Sequence, residues 1–246
     1  MKILVTGSSG FIGFHLSMLL LKKGIKVLGI DCMNNYYDVN LKKARLNILK
    51  KYKNFSFNKI NLENEKKIQN IFIKFKPNIV IHLAAQAGVR YSIDKPRVYL
   101  KSNIDGTFNV IEASYKIGVK HLIMASSSSV YGANKKIPFK EIDKTETQLS
   151  IYAATKKANE SMAHSYSNIW KIPITMLRFF TVYGPWGRPD MSLFKFTQSI
   201  LKNEQIDVYN YGKHKRDFTY IDDIIEGIIR VLDFTPKINT KWNSDD

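Results

Sequence analysis

The chain has 246 residues, 44% of them hydrophobic, with a single cysteine and a formal charge of +17. That length buries a substantial core as one large domain or two small ones, and a lone Cys32 excludes an internal disulfide. The charge raises the question of nucleic acid, but 31 lysines scattered in pairs such as Lys22-Lys23 and Lys135-Lys136, against seven arginines, describe a solvated surface, so no nucleic-acid partner is expected.

The chain passes from Met1 into an apolar run at residues 2–5, a strand, without the long apolar core or cleavage site of a signal peptide; the expected location is the cytoplasm. Residues 11–23 read as a helix closed by Gly24. Its apolar stretch is broken by Gly13, His15 and Ser17 and falls short of the ~20 residues needed to cross a bilayer, so no membrane span is expected. Strands follow at 26–30, 55–60 and 78–83, then a helix at 103–117 ended by Gly118, a strand at 121–125, a helix at 153–167 and a strand at 173–177. This alternation predicts an α/β fold, a doubly wound parallel sheet of the Rossmann type with helices on both faces. After about Phe180 the texture changes to Tyr183-Gly184-Pro185-Trp186-Gly187-Arg188-Pro189, a loop composition of the kind that carries sites. Residues 235–246 show no strong element.

Gly7, Gly10 and Gly13 stand between the first strand and the first helix, where glycines allow a tight turn and let backbone amides approach a pyrophosphate at the helix N-terminus. Their G-x-x-G-x-x-G spacing departs from G-x-G-x-x-G, so alone it also suits a plain glycine-rich turn. Asp31 ends the second strand, 18 positions after Gly13, where a carboxylate can accept hydrogen bonds from a ribose 2′-hydroxyl and would repel a 2′-phosphate. This favours NAD over NADP, while Lys42, Lys43 and Arg45 keep the phosphorylated cofactor open. No metal-ligand set is assigned.

Tyr152 and Lys156 stand at i and i+4, on one face of a helix. A phenol ionises near pH ~10, and a neighbouring cation lowers that value toward the range of a general base. The helix follows a strand ending in Ser126-Ser127-Ser128-Ser129, whose hydroxyls can hydrogen-bond a substrate oxygen; four serines in isolation also suit a turn or a helix cap.

Together, residues 6–13, Asp31, His82-Leu83-Ala84-Ala85, residues 126–132 and Tyr152-Ala153-Ala154-Thr155-Lys156 resemble the extended short-chain dehydrogenase family of nucleotide-sugar enzymes. More narrowly, Gln86-Ala87-Gly88-Val89-Arg90-Tyr91-Ser92, residues 152–160, residues 178–191 and Asp207-Val208-Tyr209-Asn210-Tyr211-Gly212 are similar to UDP-glucuronate 4-epimerases. The resemblance implies an NAD-binding Rossmann domain over residues 1–180 and a partial nucleotide-sugar-binding portion over 181–246. It implies Ser127, Tyr152 and Lys156 as the catalytic set, and cofactor contacts from Gly7, Gly10, Phe11, Ile12, Gly13, Asp31, Asn61, Leu62, Ala84, Ala85, Asn103, Lys156 and Phe180. Ser129, Thr181 and Arg188 would grip a sugar carboxylate, and Arg216 the phosphates of UDP. The implied reaction is inversion at C4 of a UDP-hexuronic acid through a 4-keto sugar, by a homodimer. Dehydratases and decarboxylases of this family carry acidic residues where this chain has Ser127 to Ser129, so hydroxyls there favour plain epimerisation.

Asn61 stands where the family usually has aspartate, and Cys32 where it usually has asparagine. Family members commonly run several dozen residues further. Two alternatives follow: a non-catalytic NAD-binding remnant, and an epimerase acting on a neutral UDP-hexose.

Overall fold

The computed structural model describes residues 1–213 and 215–243. Six strands, β1 (Lys2–Thr6), β2 (Lys26–Asp31), β3 (Phe55–Lys59), β4 (Ile79–His82), β5 (His121–Ala125) and β6 (Ile174–Leu177), pair in parallel in the order β3-β2-β1-β4-β5-β6. This is the α/β architecture expected from the alternating pattern. The direction of winding reverses between β1 and β4, which opens a crevice beyond the C-terminal ends of these strands. There the register sets Thr6 between Ile30 and His82.

Side chains alternate between the two faces of a strand, so one sheet makes two cores. On one face Leu4, Leu28, Val80 and Leu122 pack with Ile68 and Phe72 of α3 (Glu65–Phe75), Val110 and Ile111 of α6 (Gly106–Ile117) and Ala163 and Tyr166 of α7 (Ile151–Trp170). On the other, Ile3, Val5, Val27, Ile81 and Ile123 meet Phe14, Leu16 and Leu20 of α1 (Phe11–Lys22) and Leu49 of α2 (Val39–Leu49).

Several boundaries differ from expectation for local reasons. The helix expected from residue 153 begins two residues earlier because Ser150 caps it, its hydroxyl accepting from Ala153 N at 3.1 Å. The helix expected over 103–117 divides: α4 (Tyr91–Asp94) and α5 (Pro96–Tyr99) lead into a π-helical stretch, Leu100–Asp105, before α6 begins. Gly118 ends α6 in the left-handed conformation, as its position suggests.

After β6 the elements are shorter. β7 (Thr181–Tyr183) and β8 (Phe218–Tyr220) form a separate two-stranded parallel sheet, with α8 (Ser192–Leu201) between them and α9 (Ile221–Leu232) after. α9 returns to the main body: Ile221, Ile225 and Ile228 are buried in the same core as α1, so the segment after residue 180 shares that core. α8 buries none of its side chains. Among the described residues no helix is long and apolar enough to cross a membrane.

Candidate active site

The turn between β1 and α1 is built by close backbone approach. Gly7 has φ of +71°, and a Cβ on Gly13 would lie 2.1 Å from the Gly7 carbonyl oxygen, so neither position accepts a side chain without a shift of main chain. Ser9 N donates to Asp31 at 3.1 Å and Met33 N donates to its other carboxylate oxygen at 2.8 Å. Burial pushes the Asp31 carboxyl above its ordinary value, opposed by the Met33 N–H, Lys42, the Ser9 N–H and Arg45. The Ser8 and Ser9 hydroxyls of the turn are buried and make no hydrogen bond within the protein. Open backbone, unpartnered hydroxyls and a carboxylate at the strand end suit a dinucleotide. Two of the bases that kept NADP open are engaged elsewhere. Lys42 Nζ donates to Asn34 O at 2.8 Å and Oδ1 at 2.6 Å, above the ring of Tyr37, and Arg45 is wholly buried.

A cleft of about 790 Å³ runs from this turn across the ends of the strands. Gly7, Gly10, Phe11, Ile12 and Gly13 line it with Asp31, Asn61 and Leu62; Ala84 and Ala85 continue it; Ser127, Ser129, Tyr152, Lys156, Phe180, Thr181 and Arg188 complete it. Asn103 is not part of this lining. Its amide is spent inside, accepting from Gln86 N at 2.8 Å and donating to Gln86 O and Thr155 Oγ1 at 3.0 and 3.1 Å. Arg216 is exposed, with Nη1 donating to Lys215 O, and also lies away from the cleft.

Ser150 starts α7 so that Tyr152 and Lys156 occupy its first turns, facing the end of β5. Ser127 Oγ donates to Ser129 Oγ at 3.2 Å and lines the cleft together with Tyr152. Burial raises the Tyr152 pKa, while Ser127 and the charge of Arg188 pull it down. Lys156 Nζ donates to Ala125 O at 2.7 Å, and burial lowers its pKa to about 8 against the opposing charge of Glu160. The charge of Arg188 thus joins Lys156, to which sequence spacing pointed, in the same cleft as the phenol. Glu160 braces the site from behind, accepting from Ser126 Oγ at 2.6 Å and from Arg178 Nε and Nη2 at 3.0 Å each.

Arg188 donates through Nε and Nη2 to the carboxylate of Asp190, the first bond at 3.0 Å, and Tyr36 Oη donates to the same carboxylate at 3.1 Å. Against burial, these partners hold the Asp190 pKa below its ordinary value. Sequence reasoning missed Asp190 and Tyr36. The Arg-x-Asp spacing of 188–190 was a usable signal for the first; for Tyr36, more than 150 positions away from its partner, there was none.

The model of the family described as NAD dependent epimerase/dehydratase matches residues 3–243. A protein of Rhizobium meliloti (strain 1021) named "Probable UDP-glucuronate 4-epimerase" is 49% identical over 236 residues, covering 96% of this chain and 69% of that protein. The crystal structure of a UDP-glucuronic acid 4-epimerase from Bacillus cereus, in complex with UDP-glucuronic acid and NAD, superposes with a TM-score of 0.88 at 37% identity, over 99% of this chain and 74% of that one. A UDP-glucose 4-epimerase from Thermotoga maritima, with UDP-glucose, gives 0.84 at 32% identity, over 94% and 73%. By the family match and these relatives, the chain belongs to the NAD dependent epimerase/dehydratase family.

Proposed function

We propose that this chain is a UDP-glucuronate 4-epimerase that interconverts UDP-glucuronate and UDP-galacturonate with bound NAD. The observation that carries this reading is one cleft holding the glycine turn and Asp31 at one end and Tyr152, Ser127, Lys156 and Arg188 at the other. The named Rhizobium and Bacillus relatives support it.

In this reading the 7–13 turn and Asp31 hold the dinucleotide, with Asn61, Leu62, Ala84, Ala85 and Phe180 beside it and Asn103 supporting the Gln86 loop from behind. When bound, the cofactor would supply a reversible hydride acceptor for C4, giving the hydride back to the other face of the ketone, and a positive charge that favours the phenolate. Tyr152 Oη takes the proton of the sugar 4-hydroxyl, and Ser127 Oγ, lining the same cleft, orients the reacting oxygen. Lys156 holds the ribose side of the site. The 4-ketone turns over between the walls of the cleft, and Tyr152 returns the proton to the same oxygen on the opposite stereochemistry. Ser129, Thr181 and Arg188 grip the C6 carboxylate, for which a guanidinium fork is suited. Arg216, exposed outside the lining of the cleft, is assigned to the phosphates of UDP.

Water loss from a 4-keto hexose needs a proton donor near C6. Residues 126–129 offer hydroxyls, and Asp190 is held ionised by Arg188, so the reading is epimerisation without dehydration. One observation favours a neutral UDP-hexose instead: two of the Arg188 donor nitrogens are already spent on Asp190. Incubation with NAD and UDP-glucuronate, with products resolved by chromatography, tests the primary reading. UDP-galacturonate lost in Tyr152→Phe supports it; conversion of UDP-glucose alone replaces it with the second.

The reading includes a cytoplasmic homodimer. Exposed Phe108 and Tyr115 of α6 and Ile169 and Trp170 of α7 form an apolar face of the kind that pairs with a copy of itself, and Cys32 is a free thiol.

A further inference from the structure

The loop that carries Arg188 is fastened to the helix that opens at the glycine turn. His15 Nε2 of α1 is hydrogen-bonded to Pro185 O at 2.9 Å, and the Trp186 ring packs on Phe14 with centroids 5.6 Å apart. Between the two stands Arg45 of α2, fully buried and, among the described residues, hydrogen-bonded to no carboxylate. Its Nη1 donates to Ser9 O, in the turn itself, at 3.1 Å and to Tyr37 Oη at 2.9 Å. Its Nη2 donates to Trp186 O and, at 3.1 Å, to Gly187 O, the residue before Arg188.

A buried guanidinium is expensive unless its hydrogens are satisfied; Nε makes no hydrogen bond within the protein, and of the four oxygens that accept from Nη1 and Nη2, three come from the two loops at opposite ends of the reaction and the fourth is Tyr37 Oη. The planar fork fixes the separation of Ser9 O from Gly187 O, which a lysine ammonium, a point charge on a flexible stem, cannot do.

We infer that Arg45 is a positioning residue that couples the dinucleotide turn to the loop carrying Arg188, so that filling the cofactor end steadies the sugar-binding arginine. The contribution to sugar binding rests on the proposed role of Arg188; the mechanical link between the two loops does not.

The test is backbone amide hydrogen exchange on the full chain, with and without NAD, in the wild type and in Arg45→Lys and Arg45→Met. In the wild type, NAD slows exchange at residues 7–13 and, by about tenfold, at 185–190. In both variants the first effect persists and the second is lost. The inference is overturned if residues 185–190 ignore NAD in the wild type, or respond to it equally in the variants. In turnover, Arg45→Lys raises KM for UDP-glucuronate about tenfold with kcat within twofold, and adds nothing further in an Arg188→Met background. A merely structural arginine would lower the folded fraction and add in full to Arg188→Met. If the wild type does not act on UDP-glucuronate, the substrate reading fails while the exchange experiment still decides the link.

Discussion

The two ends of the cleft are held by different means. The cofactor end rests on the six-stranded sheet and its two cores, where Leu4, Ile30, Phe72 and Ile81 are wholly buried. The sugar end hangs on two three-residue strands, a helix that buries nothing, and a handful of polar anchors. Even its best-packed element, α9, is stabilised through the main core. The difference teaches where each function is vulnerable: the dinucleotide site fails when packing or close backbone approach fails, whereas sugar recognition fails when single hydrogen bonds do.

The largest expected effect lies where the two ends meet. Tyr152→Phe keeps the ring and removes the acid-base group, so turnover should fall by about 10³-fold, measured as product formation, while NAD affinity stays within about twofold. Equal losses of both would mean that Tyr152 belongs to the packing of the cofactor end. Next is Phe72→Ala, deep under β1 and β4, which should cost about 3–5 kcal/mol in denaturant unfolding.

His82 sharpens the comparison with pH. It lies under the glycine turn between Thr6 Oγ1 at 2.7 Å and Thr107 Oγ1 at 3.0 Å, and burial lowers its pKa from 6.5 to about 3. The unfolded chain therefore binds a proton that the folded chain refuses between those values. Stability present above pH 6.5 is lost as pH falls toward 3. His82→Gln should flatten that loss by an amount on the order of 2–4 kcal/mol across the window, read from urea midpoints at a series of pH values. An unchanged slope would place the acid sensitivity in the carboxylates. The smallest effect belongs to the sugar end: Leu201→Ser, on the exposed face of α8, should change stability by less than about 0.5 kcal/mol.

The same asymmetry decided what the sequence made legible. β1, β2, β4 and β5 are short apolar runs that are buried on both sides, and the glycine turn and the Tyr152–Lys156 pair are local patterns whose meaning survives without knowing the fold. α2 was not readable because its inward positions include Lys42 and Arg45, which carry no apolar period. α9 was readable in principle, since Ile221, Ile225 and Ile228 follow helical spacing. Asn103 and Arg216 sit where a motif cannot place them: the first is drawn into a buried amide knot with Gln86, and the second is exposed, outside the lining of the cleft. Arg45 and Tyr36 were hidden because their roles exist only once loops far apart in the chain are brought together, whereas Asp190 pairs with Arg188 two positions away and was legible in that spacing.

In the proposed function Arg188, at the sugar end of the cleft, selects a sugar acid. This selection is tested most directly by the ratio of kcat/KM for UDP-glucuronate to that for UDP-glucose, in the wild type and in Arg188→Met. The expected ratio is about 10² or more, falling by at least about tenfold in the variant, as for a lost charge-assisted hydrogen-bonded pair. A ratio near one in the wild type, or one that Arg188→Met leaves unchanged, would contradict it.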